Sequence, residues 1–212
     1  MVTEPERIEP ADREALLTAI RACTVCSAHL PLGPRPIVRA PGTARILLIS
    51  QAPGTAAHRS GIPWDDPSGK RLKAWLGVDE ETFHGSGRFA VVPMGFCYPG
   101  RINGSGDAPP RPECAPLWHK RLLSILPDVR WTLLIGMYAQ RTYLKDQMPT
   151  TMTAAVRDHA RFADRRTMPL PHPSWRVQGW MKRNPWFEED VLPTLRAGPR
   201  LSISPTVRRT TP

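Results

Sequence analysis

Four cysteines are the residues with the clearest chemical meaning in this 212-residue chain. They occur as a Cys-x2-Cys pair, Cys23 and Cys26, and as a later pair, Cys97 and Cys114. A Cys-x2-Cys pair supplies two corners of a tetrahedral metal site, and four thiolates suit zinc or an iron–sulfur cluster. The spacing leaves both metals open, and it also allows four unrelated buried thiols.

A histidine and two aspartates are candidates for catalysis. His172 lies in the sequence Pro-His-Pro-Ser, where prolines on both sides restrict the backbone and aim the imidazole. Such a histidine either stabilises negative charge on a leaving group or only caps its loop. Asp65 and Asp66 follow Trp64 and precede Pro-Ser-Gly. They either cap a helix or orient water beside an indole that stacks on a flat ring.

Basic and aromatic residues alternate after the histidine. Arg176, Lys182 and Arg183 lie close to Trp175 and Trp180 in the sequence. Positive side chains hold phosphates, and flat side chains can enter a stack of bases. The alternative is a solvated helix face whose tryptophans belong to the core. The net charge of +10 and the pI of about 10.2 favour a polyanionic partner, above all nucleic acid.

The elements that position these residues follow from the pattern of apolar segments. Strands are predicted at 45–50, 88–94, 131–136 and 166–170. Helices are predicted at 11–22, 67–76, 116–126, 137–145 and within 177–195, starting near residue 184. This alternation predicts an α/β fold, a three-layer αβα domain with a central four-stranded parallel sheet. Because ligands bind at the carboxyl ends of parallel strands, the loops 51–54, 95–97 and 172–174 are expected to form the site.

The composition also predicts the domain organisation. We expect a flexible N-terminal tail at 1–10, one domain with an embedded metal site at 11–197, and a disordered basic tail at 198–212. The longest apolar run, 46–49, is far shorter than a membrane span, and the N-terminus lacks a signal-peptide pattern. These features predict a cytoplasmic protein, in which cysteines bind metal more often than they form disulfides.

In their order along the chain, the segments resemble the uracil-DNA glycosylase superfamily, most closely its iron–sulfur type, family 4, with some features of family 5. The resemblance spans residues 21–195. Residues 50–54 (Ser-Gln-Ala-Pro-Gly) are similar to the first motif, normally Gly-Glu-Ala-Pro-Gly. Residues 172–174 (His-Pro-Ser) match the second motif. The segments 61–64, 68–72 and 183–185 are similar to further family sequences.

The resemblance implies a role for each candidate residue. The four cysteines become ligands of a structural 4Fe–4S cluster, His172 the group that stabilises the departing base, and Trp64 the ring that stacks on it. The remaining residues expected to contact the base are Gln51, Ala52, Pro53, Gly54, Met94, Gly95 and Phe96. The residues expected to hold DNA are Ser174, Trp175, Arg176, Lys182 and Arg183.

Two departures from the family pattern affect the expected chemistry. Gln51 stands where family 4 has Glu, and Ala52 stands where another family has its water-activating Asp. Asp66 resembles an Asp of family 5, so it is the expected catalytic carboxylate, with Asp65 as the alternate. The Asn that usually reads uracil is absent after the second strand, and backbone groups at 94–96 are expected to replace it.

The function implied is that of a monomeric, monofunctional DNA glycosylase that flips out uracil and hydrolyses its N-glycosidic bond, initiating base excision repair. No lysine is placed for a Schiff base, so strand cleavage is not expected. Three alternatives remain: a non-catalytic iron–sulfur protein that binds uracil-containing or damaged DNA, a glycosylase that also removes other deaminated bases, and zinc in place of the cluster.

Overall fold

The computed structural model describes residues 10–102 and 106–203. Its strands, in chain order, are β1 (Ile46–Ile49), β2 (Phe89–Val91), β3 (Arg101–Ile102), β4 (Gly106–Asp107), β5 (Trp131–Ile135) and β6 (Thr167–Leu170). Four of them form the central sheet in the order β2-β1-β5-β6, and every pair is parallel. The predicted four-stranded parallel sheet is therefore confirmed.

Helices cover both faces of this sheet. They are α1 (Pro10–Arg21), α2 (Thr55–Ser60), α3 (Pro67–Leu76), α4 (Glu80–His84), α5 (Cys114–Ser124), α6 (Met137–Leu144), α7 (Met152–Arg157), α8 (Val177–Arg183) and α9 (Leu192–Ile203). Apolar residues of α1, α5 and α6 pack on one face, and those of α3, α8 and α9 pack on the other. This is the three-layer arrangement that the sequence predicted.

The first strand shows why the sheet sequences are continuously apolar. Leu47 and Ile49 pack into the cluster with α1 and α5, whereas Ile46 and Leu48 pack into the opposite cluster with α3 and α9. All four side chains are buried. A parallel strand covered on both faces needs apolar residues at every position, which is the pattern that identified it in the sequence.

The C-terminal helical region differs from its prediction. Instead of one helix starting near residue 184, α8 ends at Arg183 and α9 begins at Leu192, with a π-helical turn at Phe187–Val191 between them. Asn184 leaves the helical conformation (φ −134°, ψ 64°), because the proline that follows it disfavours helical geometry at this position. The helix α9 runs past residue 197, where the domain was expected to end. The predicted tail residues 1–9 and 204–212 lie outside the described residues.

Several short elements escaped sequence analysis. The helices α2, α4 and α7 have five or six residues each, too few for a clear helical period. The antiparallel hairpin β3–β4 lies in the Gly/Pro-rich segment between Cys97 and Cys114, which the sequence predicted only as a loop. No helix in the described part of the chain is long and apolar enough to cross a membrane.

A buried glutamine joins the ends of two neighbouring strands. Gln140 of α6 is fully buried, and its Nε2 donates hydrogen bonds to the carbonyls of Leu134 (3.2 Å) and Leu170 (2.8 Å). These carbonyls belong to β5 and to the last residue of β6. The amide therefore holds the strand end from which the segment 171–174 departs.

Replacing this glutamine tests its contribution to stability. We expect Gln140→Ala to lower the free energy of unfolding by about 2 kcal/mol, because two buried hydrogen bonds are lost and a cavity is left. The control is Gln147→Ala, at an exposed position near the same helix. Urea unfolding of both variants measures the difference. If both variants lowered the free energy of unfolding equally, the stabilising role of the Gln140 hydrogen bonds would be contradicted.

Candidate active site

A cavity of about 490 Å³ opens at the carboxyl ends of β1 and β6. The loop 51–54 after β1 lines one side, and His172 and Ser174 after β6 line another. This is the edge at which parallel α/β sheets bind their ligands, and the volume is typical of a small-molecule site. Two of the three loops selected from the sequence therefore meet in one cavity.

Two residues from other elements, Gly136 and Arg71, define the position of His172 and its loop. Gly136 provides space beside it, since a Cβ on this glycine would lie 3.5 Å from the Cβ of His172. The Nη1 of Arg71 in α3 donates a hydrogen bond to the carbonyl of Pro173 (2.6 Å). Burial lowers the pKa of the His172 imidazole, and the negative charge of Asp66 opposes this shift. The imidazole is therefore neutral at pH 7 and has one N–H to donate.

Trp64 forms one wall of the cavity. Its side chain is 8% exposed, and its ring centroid lies 5.7 Å from that of His172. The backbone of Trp64 has a φ of +63°, a conformation that is uncommon for a large side chain and that often occurs at functional sites. Gly69 makes this conformation possible, because a Cβ at that position would overlap the carbonyl oxygen of Trp64.

The two predicted aspartates have different positions. Asp66 is the N-cap of α3, and its Oδ1 accepts a hydrogen bond from the N–H of Gly69 (2.7 Å). Its Oδ2 lies 3.8 Å from the position that a Cβ on Gly54 would take, and the residue lines the cavity. Asp65 is exposed and is not among the lining residues. Asp66 thus combines the capping and the pocket positions that the sequence left as alternatives.

A second carboxylate in the cavity was missed by sequence analysis. Asp107 of β4 lines the cavity, and its Oδ2 lies 3.6 Å from the same Cβ position on Gly54. Burial raises the pKa of the Asp107 carboxyl; the positive charge of Arg101 opposes this shift, and the negative charge of Asp66 adds to it. The residue lies in a Gly/Pro-rich segment without periodicity, so only the fold of the hairpin reveals it.

The loop after β1 has the position that the sequence predicted for it. Gln51, Ala52, Pro53 and Gly54 all line the cavity. The side chain of Gln51 also makes a specific contact, since its Nε2 donates a hydrogen bond to the carbonyl of Ala108 (3.0 Å). This bond ties the strand end to the hairpin that carries Asp107.

The loop after β2 lines the cavity through Pro93 but not through the three residues that the sequence selected. Met94, Gly95 and Phe96 are buried and are not among the lining residues. Their N–H groups are already bonded, to the carbonyls of Ser50 (2.7 Å) and Gln51 (3.0 Å) and to the Sγ of Cys114 (3.3 Å). These N–H groups are therefore engaged within the protein, and the role of this segment in reading a base stays a prediction.

The four cysteines converge on a second, smaller site. Cys23, Cys26, Cys97 and Cys114 all line one cavity of about 20 Å³, together with Gly95 and other residues. All four are free thiols. Burial raises the pKa of Cys26 and of Cys97, and it raises that of Cys114 to about 12. Within residues 10–102 and 106–203, no group of three or more His, Cys, Asp or Glu side chains is arranged to hold a single metal ion.

The residues predicted to hold DNA share one side of the domain. Ser174, Trp175 and Arg176 line the main cavity, and Trp175 is 73% exposed. The Arg176 guanidinium lies 5.1 Å from the centroid of the Trp175 ring. Both residues also border a groove that contains Lys182 and Arg183 of α8. The cavity therefore opens beside a basic surface with an exposed aromatic ring.

Fold and site together define a three-layer α/β protein whose cavity, at the carboxyl ends of the strands, combines an imidazole, an indole and two carboxylates beside a basic surface. The family model of the uracil DNA glycosylase superfamily matches residues 37–196, and the chain belongs to this superfamily. The resemblance of the sequence to the superfamily is thereby confirmed. Membership supports a uracil-DNA glycosylase type of activity, with DNA as the partner.

The contact between Gly69 and Trp64 can be tested by substitution. We expect Gly69→Ala to lower the free energy of unfolding by about 3 kcal/mol, because a methyl group has no space beside the Trp64 carbonyl. Gly179→Ala in α8 is the control, since its Cβ would only contact Arg183 at 3.7 Å. Denaturant unfolding followed by tryptophan fluorescence compares the two. A Gly69→Ala variant as stable as the wild type would contradict the close approach.

Proposed function

We propose that the protein is a monofunctional DNA glycosylase that extrudes uracil from DNA and hydrolyses its N-glycosidic bond, the first step of base excision repair. The observation that carries this proposal is the single cavity shared by His172, Trp64 and Asp66. Each of these residues lies in a segment that is similar to a motif of the superfamily. We also propose that the protein acts as a monomer in the cytoplasm.

The extruded base would lie against Trp64. A flat, buried indole offers stacking area to a base that has left the duplex, and such enzymes must remove the base from the stack before they can reach the bond. The peptide groups of the loop 51–54 and the N–H of His172 supply polar contacts for the edge of the base. The amides at 94–96 are bonded elsewhere in the protein.

His172 and Asp66 would stabilise opposite charges as the bond breaks. The base departs with the bonding electrons, and the neutral imidazole of His172 donates its N–H to the resulting anion. The sugar becomes cationic at the same time, and the negative charge of the Asp66 carboxylate stabilises it. This attraction is stronger in the cavity than in water. No lysine of the described residues lines this cavity, which agrees with hydrolysis without strand cleavage.

The basic surface would hold the DNA. Arg176, Lys182 and Arg183 offer positive charge to the phosphates on either side of the extruded nucleotide. Trp175 is exposed at the mouth of the cavity, where its ring is suited to fill the gap that the base leaves in the stack. Ser174 lies between this surface and His172 and can donate its hydroxyl to a phosphate.

The central prediction of this proposal concerns His172. We expect the purified protein to release uracil from a uracil-containing oligonucleotide, detected by alkaline cleavage at the abasic site. His172→Gln should reduce the single-turnover rate roughly 10²- to 10³-fold, because one donor to the developing anion is lost. Its affinity for the oligonucleotide should be unchanged. His29→Gln, at an exposed histidine outside the cavity, is the control.

The alternatives are separate outcomes of this assay. Wild-type protein that binds uracil-containing DNA without releasing base would be a non-catalytic binding protein and would overturn the proposal. A second candidate function, the removal of several deaminated bases, is favoured by the bonded amides at 94–96, which leave few groups to select uracil. A panel of oligonucleotides with uracil, xanthine or hypoxanthine distinguishes it from a uracil-specific activity.

We also propose that the four cysteines hold a 4Fe–4S cluster. The support is the donor set itself, because four thiols meet at one cavity, as iron–sulfur ligation requires. When bound, the cluster would supply structural cross-links between the N-terminal segment and the segment 97–114. The high pKa of Cys114 in the free protein means that ligation must release its proton.

Metal analysis tests the cluster. We expect iron and acid-labile sulfide in the purified protein, with a broad visible absorption band. Cys114→Ser should lower the iron content and the midpoint of thermal unfolding. Thr24→Ser, at the exposed position between Cys23 and Cys26, is the control and should keep both. Colourless protein that contains zinc and no iron would show the alternative metal.

A further inference from the structure

We propose that Asp107 is the residue that orients and deprotonates the attacking water, whereas Asp66 serves as the fixed negative charge beside the cationic sugar. This assignment rests on the proposed glycosylase function. It adds a catalytic residue from the hairpin β3–β4, outside the family-like segments that identified the other members of the site.

The first observation is the position of the two carboxylates. The Oδ2 atoms of Asp66 and Asp107 lie 3.8 and 3.6 Å from one point, the position that a Cβ on Gly54 would take. Because Gly54 has no side chain, both carboxylates lie close to its backbone, within the cavity that also contains His172 and Trp64. A hydrolysis needs a group that activates water and a group that stabilises the cationic sugar, and the two carboxylates supply one group for each task.

The second observation separates the two tasks. The Oδ1 of Asp66 already accepts the N–H of Gly69 at the N-terminus of α3, so this carboxylate is held in place by the backbone. A carboxylate anchored in this way suits the role of a fixed charge. Among the described residues, no group donates a hydrogen bond to the Asp107 carboxylate. Burial raises the pKa of the Asp107 carboxyl, which favours its acceptance of a proton from water.

The third observation is how the hairpin is held in place. The Nε2 of Gln51 donates to the carbonyl of Ala108 (3.0 Å), directly after Asp107, and the N–H of Ala108 donates to the carbonyl of Gly100 (2.8 Å). Arg101 lies opposite Asp107 in the β3–β4 register. These contacts fix the backbone on which the carboxylate is mounted, so its position does not depend on a free loop.

Gln51 links this arrangement to the sequence. A glutamate at position 51, as in the motif that this segment resembles, would place a carboxylate oxygen against the Ala108 carbonyl, and two acceptors would repel each other. The amide supplies the donor that the carbonyl needs. The first motif of this chain therefore has Gln51 in place of an acidic residue. The acidic residue is instead Asp107, on the hairpin that Gln51 anchors.

The reaction balances as a hydrolysis. The bond between the sugar C1′ and the base nitrogen breaks, and its electron pair leaves with the base, which accepts a hydrogen bond from His172. The water oxygen forms the new bond to C1′, and one water proton passes to the Asp107 carboxylate. That proton is then released to solvent, and the base anion takes up a proton from solvent.

The test compares Asp107→Asn with Asp66→Asn and with Asp79→Asn. Asp79 caps α4 through a hydrogen bond to Thr82, as Asp66 caps α3, but it lies outside the cavity. We expect Asp107→Asn to reduce the single-turnover rate of uracil release roughly 10²- to 10⁴-fold, with unchanged DNA affinity and unchanged thermal unfolding. Asp79→Asn should keep the wild-type rate.

The pH profile identifies the base. The wild-type rate should fall as the pH falls through the pKa of Asp107, because the protonated carboxyl accepts no proton from water. Burial raises this pKa, and the negative charge of Asp66 adds to the shift. Asp66→Asn removes that charge, so the acidic limb should move to lower pH while the rate is reduced. The positive charges of Arg101 and Arg176 and the imidazole of His172 also line this cavity, and all three remain in the variant.

Gly54→Ala provides a second variant that does not alter a charge. Its Cβ would make only ordinary contacts, and the φ of −82° accepts alanine, so folding should be retained. The methyl group should exclude water from between the carboxylates and lower the rate. Full activity of Asp107→Asn or of Gly54→Ala, in the presence of wild-type uracil release, overturns the role of Asp107. Absence of release by the wild type on every base overturns the proposed function instead.

Discussion

The hydrogen bond from the Gly69 N–H to the Asp66 carboxylate begins α3, and most of the cavity depends on how this helix starts. Because Gly69 has no side chain, the Trp64 carbonyl can approach the first turn of α3 closely, and this approach sets the direction of the indole. One turn later, Arg71 holds the carbonyl of Pro173 and with it the segment that carries His172. Asp66, Trp64 and the segment that carries His172 are thus positioned by one helix N-terminus.

The hairpin between Cys97 and Cys114 connects this cavity to the cysteine site. The hairpin itself places Asp107 in the main cavity, close to Gly54. The segment that contains it begins and ends at two cysteines of the small cavity. A cluster bound there would restrain both ends of the segment and thereby the hairpin. The proposed cluster would thus affect the geometry of the main cavity without lining it.

A buried histidine completes the connection. His119 of α5 donates its Nε2–H to the carbonyl of Pro93 (2.9 Å), so its Nδ1 accepts the hydroxyl of Tyr143 (2.6 Å). Its ring stacks on Phe96, whose N–H donates to the Sγ of Cys114. Burial lowers the pKa of His119, which keeps the imidazole in the neutral form that this pattern needs. The segment after β2 therefore serves as a packed support between the two sites.

The sequence by itself determined the sheet and the position of α3, because apolar periodicity and proline or glycine turns act over a few neighbouring residues. His172, Trp64 and Asp66 were candidates from their residue types and from the resemblance, and the structure brings them to one cavity. The sequence also placed Met94, Gly95 and Phe96 at this cavity, which they do not line, and it did not select Asp107. The direction of the amides at 94–96 and the position of the hairpin β3–β4 at the cavity depend on hydrogen bonds between segments that are far apart in the chain. The bond from Gln51 to the carbonyl of Ala108 is one example. Only the tertiary structure decided these positions, because a local sequence pattern does not specify which carbonyl of a distant segment accepts a hydrogen bond from a given amide.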